Sequence, residues 1–361
     1  MVSAPNPVQS KTVTNSWHRC RMNADELKPA KHKTHRLTGV QILGTGHYVP
    51  EEVFTNEDLQ RLYGFDPDWI LNRTGIQERR FAPAHHATSD LCLRAARQAI
   101  EKVGCDVNDI DLLIVGTFTP DMSTPSVACQ VQDQLGLTCP AFDVQAACAG
   151  FAYALVTASQ FVATGNSKLA LVIGGDCNSR IINPGDQKSF PLFGDGAGAV
   201  LLAPGSPDQG MIAYQLGSDG SGGDLLNRPA CGSRIPASFE AIENGLQYLT
   251  MDGRAVFKWA VRILADSSQD VLGYAGVTVD DIRWFIPHQA NIRIIHSASD
   301  VMGFNRDRVF KNLERYGNTS AGSIPIALNE LLEKNGINRG DLLLTCGFGA
   351  GLNWGTILWR W

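Results

Sequence analysis

The stretch Val107-Asn108-Asp109-Ile110-Asp111-Leu112-Leu113-Ile114 has a counterpart at Val279-Asp280-Asp281-Ile282-Arg283-Trp284-Phe285-Ile286, 172 residues further on. Each follows a helical pattern that closes on glycine. Each reads as a short acidic turn entering an apolar strand of the buried kind. A second pair, residues 169–174 and 342–347 (LLLTCG), keeps an offset of 173. A common offset across separate elements marks an internal duplication. Working outward, the pattern predicts a strand at 40–43 and a helix over 55–63 with Thr55 or Asn56 as N-cap. Further helices are expected at 89–103, capped by Ser89 or Asp90, at 125–135 and at 253–272, with a strand at 141–145. Residues 146–163 are Ala-rich and apolar on every side, the pattern of a helix buried all round. Residues 193–203 (FGDGAGAVLLA) read as a turn entering a strand. Strands alternating with helices argue for α/β layers. Two similar halves, 37–210 and 211–361, are expected to pack as one unit, with 217–250 as a loop or cap rich in Gly, Ser and Asn.

Composition narrows the function. The chain has 361 residues, 44% apolar and 19% charged, enough to build a sizeable core. A net charge of −5 and a pI of about 5.9 argue against a nucleic-acid binder. The charge is uneven: residues 1–37 carry seven Lys and Arg against Asp25 and Glu26. With its Pro, Ser, Thr and Asn, residues 1–36 read as a flexible basic N-terminal extension. The nine cysteines include no CxxC pair, which fits a reducing, cytoplasmic setting better than a disulfide framework or a zinc site. No apolar stretch approaches the roughly 20 residues of a membrane span.

Three polar residues stand out. Cys148 follows a strand-like segment and opens the all-apolar helix, where unpaired N–H groups and the helix dipole favour a thiolate and a lowered thiol pKa. Read alone, it is equally a small buried residue of an Ala-rich helix. His288, in Pro287-His288-Gln289-Ala290-Asn291, ends a predicted strand, where α/β proteins place their chemistry. Asn318 lies in a polar turn, Tyr316-Gly317-Asn318-Thr319-Ser320, one duplication offset from the Cys148 segment. Pseudo-symmetry would bring the two helix starts together, although helix capping alone would account for an Asn. Gly347-Phe348-Gly349-Ala350-Gly351 could offer backbone N–H groups to an oxyanion. Neither Gly44-Thr45-Gly46 nor Gly194-Asp195-Gly196-Ala197-Gly198 has the strand–turn–helix context of a nucleotide loop, and no cluster has metal-ligand spacing.

The segments Ala146-Ala147-Cys148-Ala149-Gly150-Phe151, His288-Gln289-Ala290-Asn291 and Gly317-Asn318-Thr319-Ser320-Ala321 resemble those of β-ketoacyl-acyl carrier protein synthase III. So do Trp69-Ile70, Arg73-Thr74-Gly75-Ile76 and Phe193-Gly194-Asp195-Gly196-Ala197, in family order from about Leu37 to Trp361. The resemblance implies the thiolase fold: duplicated halves in an α-β-α-β-α layered arrangement with mixed sheets and buried central helices, usually a homodimer. It implies a Cys148–His288–Asn318 site that condenses an acyl-CoA primer with malonyl-acyl carrier protein. These are substrates, and no cofactor or metal is implied. An oxyanion hole would come from the backbone of Cys148 and Ala350. For CoA it points to Trp69, Arg73, Arg180 and Asn291, and for the acidic carrier protein to Lys258 and Arg293. Asp300 and Val301 stand where some members carry two lysines. Thr124 stands where acetyl-specific members have a bulky Phe, which implies an acyl pocket open to longer primers.

Other readings share some of these residues. A thiolase-fold acyltransferase or condensing enzyme of secondary metabolism would use the same three groups. A papain-like hydrolase uses Cys, His and Asn in this order, but the Cys-Gly-x-Cys-aromatic signature is missing. A non-catalytic binding module would have no need to keep all three polar residues.

Overall fold

The computed structural model describes residues 32–361. Two five-stranded mixed sheets dominate it. In the first, Val40–Tyr48, Gly196–Pro204, Ala170–Asp176, Leu112–Gly116 and Ala141–Val144 lie side by side in that order. In the second, the order is His35–Thr38, Gly210–Ser218, Asn353–Arg360, Leu342–Gly349 and Trp284–Pro287. Strands Val40–Tyr48, Gly196–Pro204, Ala170–Asp176 and Leu112–Gly116 pair antiparallel, antiparallel, then parallel. Strands Gly210–Ser218, Asn353–Arg360, Leu342–Gly349 and Trp284–Pro287 repeat that pattern. The duplication read from two strand pairs therefore extends over four strands of each sheet.

Helices Gly150–Ala163 and Ser323–Asn335 lie between the sheets. Their Phe151, Val156, Ile324 and Leu328 share one core with Val172 and Val200 of the first sheet and Leu343 and Ile357 of the second. Helices Thr88–Val103 and Val127–Leu135 cover the outer face of the first sheet, and Gly253–Ala275 and Ile292–Met302 that of the second. The result is the five-layer α-β-α-β-α arrangement. A central helix faces apolar surface on both sides, which is why 146–163 carries no polar stripe. Thr55 caps Asn56–Tyr63 in a capping box with Asp58, whereas helix Thr88–Val103 starts one residue earlier than expected, with Ala87 and not Ser89 or Asp90 at the N-cap and the Asp90 carboxylate accepting from Ala87 N. The 217–250 segment folds as a small cap of its own, with the two-stranded pairing of Leu226–Asn227 and Thr250–Met251 and the short helix Phe239–Glu243.

One boundary moves. The basic extension was expected to end at residue 36, but strand His35–Thr38 pairs antiparallel with Gly210–Ser218 and forms the outer edge of the second sheet. The His32 ring stands edge-on to Trp354 with centroids 4.5 Å apart, and its carbonyl accepts from Gln215 Nε2 at 3.3 Å. A strand edge leaves backbone donors and acceptors to satisfy, and this segment satisfies them. The rest of the expected extension, residues 1–31, lies outside the described residues. Deleting residues 1–38 should lower the melting temperature by about 2–4 °C relative to deleting 1–31, because the edge ladder and the His–Trp contact are lost. Equal melting of the two truncations in a thermal scan would show the strand to be idle.

Candidate active site

Cys148 sits in a single 3-10 turn, Ala147–Ala149, that runs directly into helix Gly150–Ala163. Ala147 has φ 46°, a left-handed backbone rare outside glycine, so the chain turns sharply just before the thiol. The second central helix begins the same way: the 3-10 turn Ser320–Gly322, with Ser320 at φ 52°, runs into Ser323–Asn335. The two turns meet. Ser320 Oγ lies 3.3 Å from Cys148 Sγ, and these residues are 172 apart in sequence.

His288 leaves the end of strand Trp284–Pro287, with its N–H donating to the Cys346 carbonyl at 2.9 Å. Its ring is buried edge-on against Phe348, centroids 5.1 Å apart, and Nδ1 is 2.6 Å from Ser323 Oγ. Asn318 is held from the other half: its N–H donates to the Leu192 carbonyl at 2.8 Å, and its carbonyl accepts from Gly194 N at 3.0 Å. The Phe193-Gly194-Asp195 motif is in turn anchored by the buried Asp195 carboxylate, which accepts from the N–H of Ala82 and of Ser179 and from the Ser179 hydroxyl. Asn318 Oδ1 accepts from Ser320 N at 2.8 Å, which leaves its amide NH2 as the group to present elsewhere.

Cys148, His288, Asn318, Asn291 and Ala350 all line one cavity of about 780 Å³, part of it open to solvent. The remaining wall is mainly apolar, with Phe118, Leu192, Trp259 and Phe348 among its residues. The Gly349–Ala350 backbone lies against the nucleophile: a Cβ on Gly349 would come 2.7 Å from Cys148 N and 3.0 Å from its Cβ. Only glycine allows so close an approach.

Electrostatics in this cavity follow burial. The lowered thiol pKa expected at a helix start is overturned. Burial pushes the Cys148 thiol up to about 12; the Ser320 hydroxyl opposes this and the Asp176 charge adds to it. Desolvation of the thiolate outweighs the favourable field of the helix start. Burial likewise pushes the His288 imidazole down to about 3, so the ring is neutral at physiological pH. Asp176 and Ser320 escaped the reading of the sequence. Asp176 ends the parallel strand Ala170–Asp176, so the strand-end argument applied to His288 would have found it had the strand not been expected to stop at 174. Nothing in the sequence singled out Ser320 or Ser323 from the other hydroxyls of their motif.

The remaining expected residues scatter. Trp69 is half-buried and Arg73 exposed on helix Pro67–Thr74, and Asn291 Nδ2 donates to the Arg73 carbonyl at 3.0 Å. Lys258 and Arg293 are exposed, the Arg293 guanidinium 5.6 Å from the centre of the cavity-lining Phe257 ring. Arg180 does not line the cavity. Its Nη2 donates to the carbonyls of Ala82, Pro83 and His86, which ties it to the 82–86 loop; Trp69 and Arg73 likewise lie off the cavity wall. Thr124 is exposed and also lies off the cavity wall.

Residues 142–220 match the family model for 3-oxoacyl-[acyl-carrier-protein (ACP)] synthase III, and residues 272–361 the model for its C-terminal part. The chain is 51% identical over 343 residues to the beta-ketoacyl-[acyl-carrier-protein] synthase III of Rhodopirellula baltica, covering 90% of this chain and 99% of that one. The crystal structure of 3-oxoacyl-[acyl-carrier-protein] synthase III from Aquifex aeolicus VF5 is similar with a TM-score of 0.83 at 39% identity, over 90% of this chain and 100% of that one. The priming beta-ketosynthase from the R1128 polyketide biosynthetic pathway is similar at a TM-score of 0.81 and 32% identity, covering 92% and 99%.

The depressed His288 sets a pH dependence with a definite sign. Between about pH 3 and 6.5 the unfolded chain binds a proton at this ring and the folded one does not. The stability tied to a neutral His288 is therefore complete above the unfolded pKa and is lost as pH falls through that window. In denaturant titrations between pH 4 and 6, His288→Gln should flatten the rise of unfolding free energy with pH by up to about 1.4 kcal/mol per pH unit. An unchanged slope would mean that the ring is protonated in the fold.

Proposed function

The chain belongs to the 3-oxoacyl-[acyl-carrier-protein] synthase III family, and from that premise we propose that it condenses an acyl-CoA primer with malonyl-acyl carrier protein to 3-ketoacyl-acyl carrier protein, initiating fatty acid synthesis. The observation that carries the reading is the convergence of a thiol, a neutral imidazole and an oriented amide on one largely apolar cavity.

In the first half-reaction Cys148 sulfur attacks the primer thioester and CoA leaves. A sulfur nucleophile suits this exchange, because the bond made and the bond broken are alike. The N–H groups of Cys148 and Ala350 stabilise the tetrahedral oxyanion, in keeping with the packing of Gly349 on Cys148. In the second half-reaction malonyl-acyl carrier protein enters and loses CO2, and negative charge gathers on its thioester oxygen. In the tautomer this step requires, Nδ1 accepts from the Ser323 hydroxyl 2.6 Å away and the single ring proton of His288 is on Nε2, to face that oxygen together with Asn318 Nδ2. Both donors are neutral and fixed before the charge appears, which is electrostatic preorganisation. The enolate carbon then attacks the acyl thioester and releases Cys148. All of this runs on the chain's own groups, without a cofactor.

Trp69, Arg73, Arg180 and Asn291 would receive CoA, with Asn291 on the cavity wall and bonded to the Arg73 carbonyl. Lys258 and Arg293 would steer the acidic carrier protein. Beyond Arg293 on helix Ile292–Met302 the surface turns less basic: Asp300 pairs with Arg306 at 2.6 Å and Val301 is exposed. The same reading takes the chain as a cytoplasmic homodimer. No described helix is long and apolar enough to cross a membrane. The likeness to a polyketide priming ketosynthase favours one alternative, the same chemistry serving a specialised pathway.

Cys148→Ala should abolish both the acyl-enzyme and condensation, read by intact-protein mass spectrometry. His288→Ala and Asn318→Ala should retain primer transfer while losing malonyl decarboxylation by about 10²–10³-fold. Loss of transfer in either variant would contradict the division of roles. A matrix of acetyl-, isobutyryl- and octanoyl-CoA against malonyl-acyl carrier protein and malonyl-CoA should show turnover of primers longer than acetyl with the carrier-protein acceptor. Strict acetyl use would refute the open pocket, and a preference for another acceptor would move the enzyme to the specialised pathway.

A further inference from the structure

A second cavity opens at the other end of the second sheet. It has a volume of about 960 Å³, solvent included, and shares no wall residue with the Cys148 cavity. His288 leaves one end of strand Trp284–Pro287, and Arg283 enters the other, up to about 16 Å of extended chain away. Arg283, Arg308 and Arg360 line this cavity together with Asp280, Asp281 and Asp341. The three arginines come from separate places in the fold: the entry to strand Trp284–Pro287, the turn Arg306–Arg308 and the end of strand Asn353–Arg360.

The two signs of charge differ in what they already hold. The Asp281 carboxylate accepts from the N–H and the hydroxyl of Thr278, and that of Asp341 from the Asn338 N–H. Asp280 is exposed. Asp208, near Arg360 but off the wall, accepts from the Ser206 hydroxyl. Against these, neither Arg283 nor Arg360 makes a hydrogen bond or an ion pair among the described residues. Arg283 only stands over the Trp284 ring, 5.6 Å from its centre, and Arg360 Nε is buried without an acceptor. Arg308 spends Nη1 alone, on the carbonyls of Asp280 and Ile282. A buried N–H without an acceptor costs free energy, and an anion in this cavity would supply one.

The duplication provides an internal control. Asp111 is the first-half counterpart of Arg283: the N–H of each donates to the carbonyl of a matching leucine, Leu169 at 3.0 Å and Leu342 at 2.9 Å. In the first half the Asp111 carboxylate closes this end, accepting from the Ser167 hydroxyl and from the N–H groups of Lys168 and Leu169. Arg283 cannot accept, so the second half lacks that closure. The register gives a second exchange. Ala170 pairs with Leu202 and Leu343 with Trp359, which makes Ala203 the counterpart of Arg360. The backbone is kept while an acid and an alanine become two arginines. Sheet packing requires neither change, since the first half holds the same strands without a cation at either place.

We propose that this cavity is a second ligand site, which takes a diphosphate-bearing anion on the guanidinium groups of Arg283, Arg308 and Arg360. A guanidinium offers a fork of N–H donors that matches phosphate oxygens in pairs. Three forks from three elements exceed what one carboxylate can accept, and a diphosphate spreads its charge over enough oxygens to meet them. The shared chemistry is the diphosphate, free or carried by a nucleotide. The site is independent of the acyl chemistry at Cys148.

Isothermal titration calorimetry of the full chain with inorganic pyrophosphate, in about 0.15 M salt to screen diffuse attraction, should show saturable binding. Arg283→Gln and Arg360→Gln should each weaken it about tenfold or more. Arg73→Gln, on the side expected to meet CoA, should bind pyrophosphate as wild type does. ADP is the second arm. Tighter binding than pyrophosphate, with the same loss in Arg283→Gln, assigns the diphosphate to a nucleotide; weaker binding assigns it to the free ion. No saturable binding of either compound would overturn the site. So would affinities that Arg283→Gln and Arg360→Gln leave unchanged, a loss in Arg73→Gln as large as theirs, or citrate binding as tightly as pyrophosphate. Arg283 is exposed, so its substitution leaves the core intact. If Arg360→Gln does not fold, Arg283→Gln decides the matter alone.

Discussion

Gly116 and Gly174 are register partners at the C-terminal ends of two parallel strands, and the molecule depends on their lack of side chains. A Cβ on Gly116 would meet the Gly150 backbone at 2.5 Å, and one on Gly174 would meet the Ala321 carbonyl at 2.3 Å. Both central helix starts therefore press directly on the first sheet and on each other; a Cβ on Gly150 would stand 3.4 Å from that of Ala321. Any side chain at these strand ends would push the two turns apart and separate Ser320 from Cys148. Close backbone approach, more than any single polar contact, assembles the site.

That approach has an electrostatic consequence. Groups brought together between two sheets lose their water, and each adopts the neutral form where it can. The imidazole becomes a fixed neutral donor, which suits charge that develops on a substrate oxygen. The thiol becomes harder to ionise, which is the wrong direction for a nucleophile acting alone. The buried Asp176 charge adds to that cost, and the Ser320 hydroxyl, donating to the sulfur at 3.3 Å, opposes it. Burial thus gives the imidazole and the thiol properties that their unperturbed pKa values would not predict.

The second half contributes more than symmetry. Asn318 is oriented by hydrogen bonds to Leu192 and Gly194, so the Phe193-Gly194-Asp195 motif of the first half positions an amide of the second. Trp259 and Phe348 pack edge to face at 6.1 Å on the cavity wall, and Trp259 also meets Trp354, against which His32 rests. The edge strand His35–Thr38 is thereby tied to the same aromatic layer that backs the site. A composition rich in basic and small polar residues had marked this segment as an arm. The ladder with Gly210–Ser218 overrides that local preference, because an unpaired strand edge offers partners that composition does not reveal.

Much of the architecture was legible in the chain itself. Recurrence at 172 and 173 residues announced the duplication, and an apolar run without a polar face announced a helix between two sheets. Cys148, His288 and Asn318 stood out because each sits where a strand or turn gives way to a helix, and local pattern is enough to place such junctions. Protonation, by contrast, was decided only by the tertiary structure. A thiol at a helix start reads as activated until the depth of its burial is known. Ser320 and Asp176 are ordinary residues in sequence and acquire meaning only through packing. Desolvation and hydrogen bonding depend on which distant segments come within a few ångströms, and one chain's local pattern does not encode that distance.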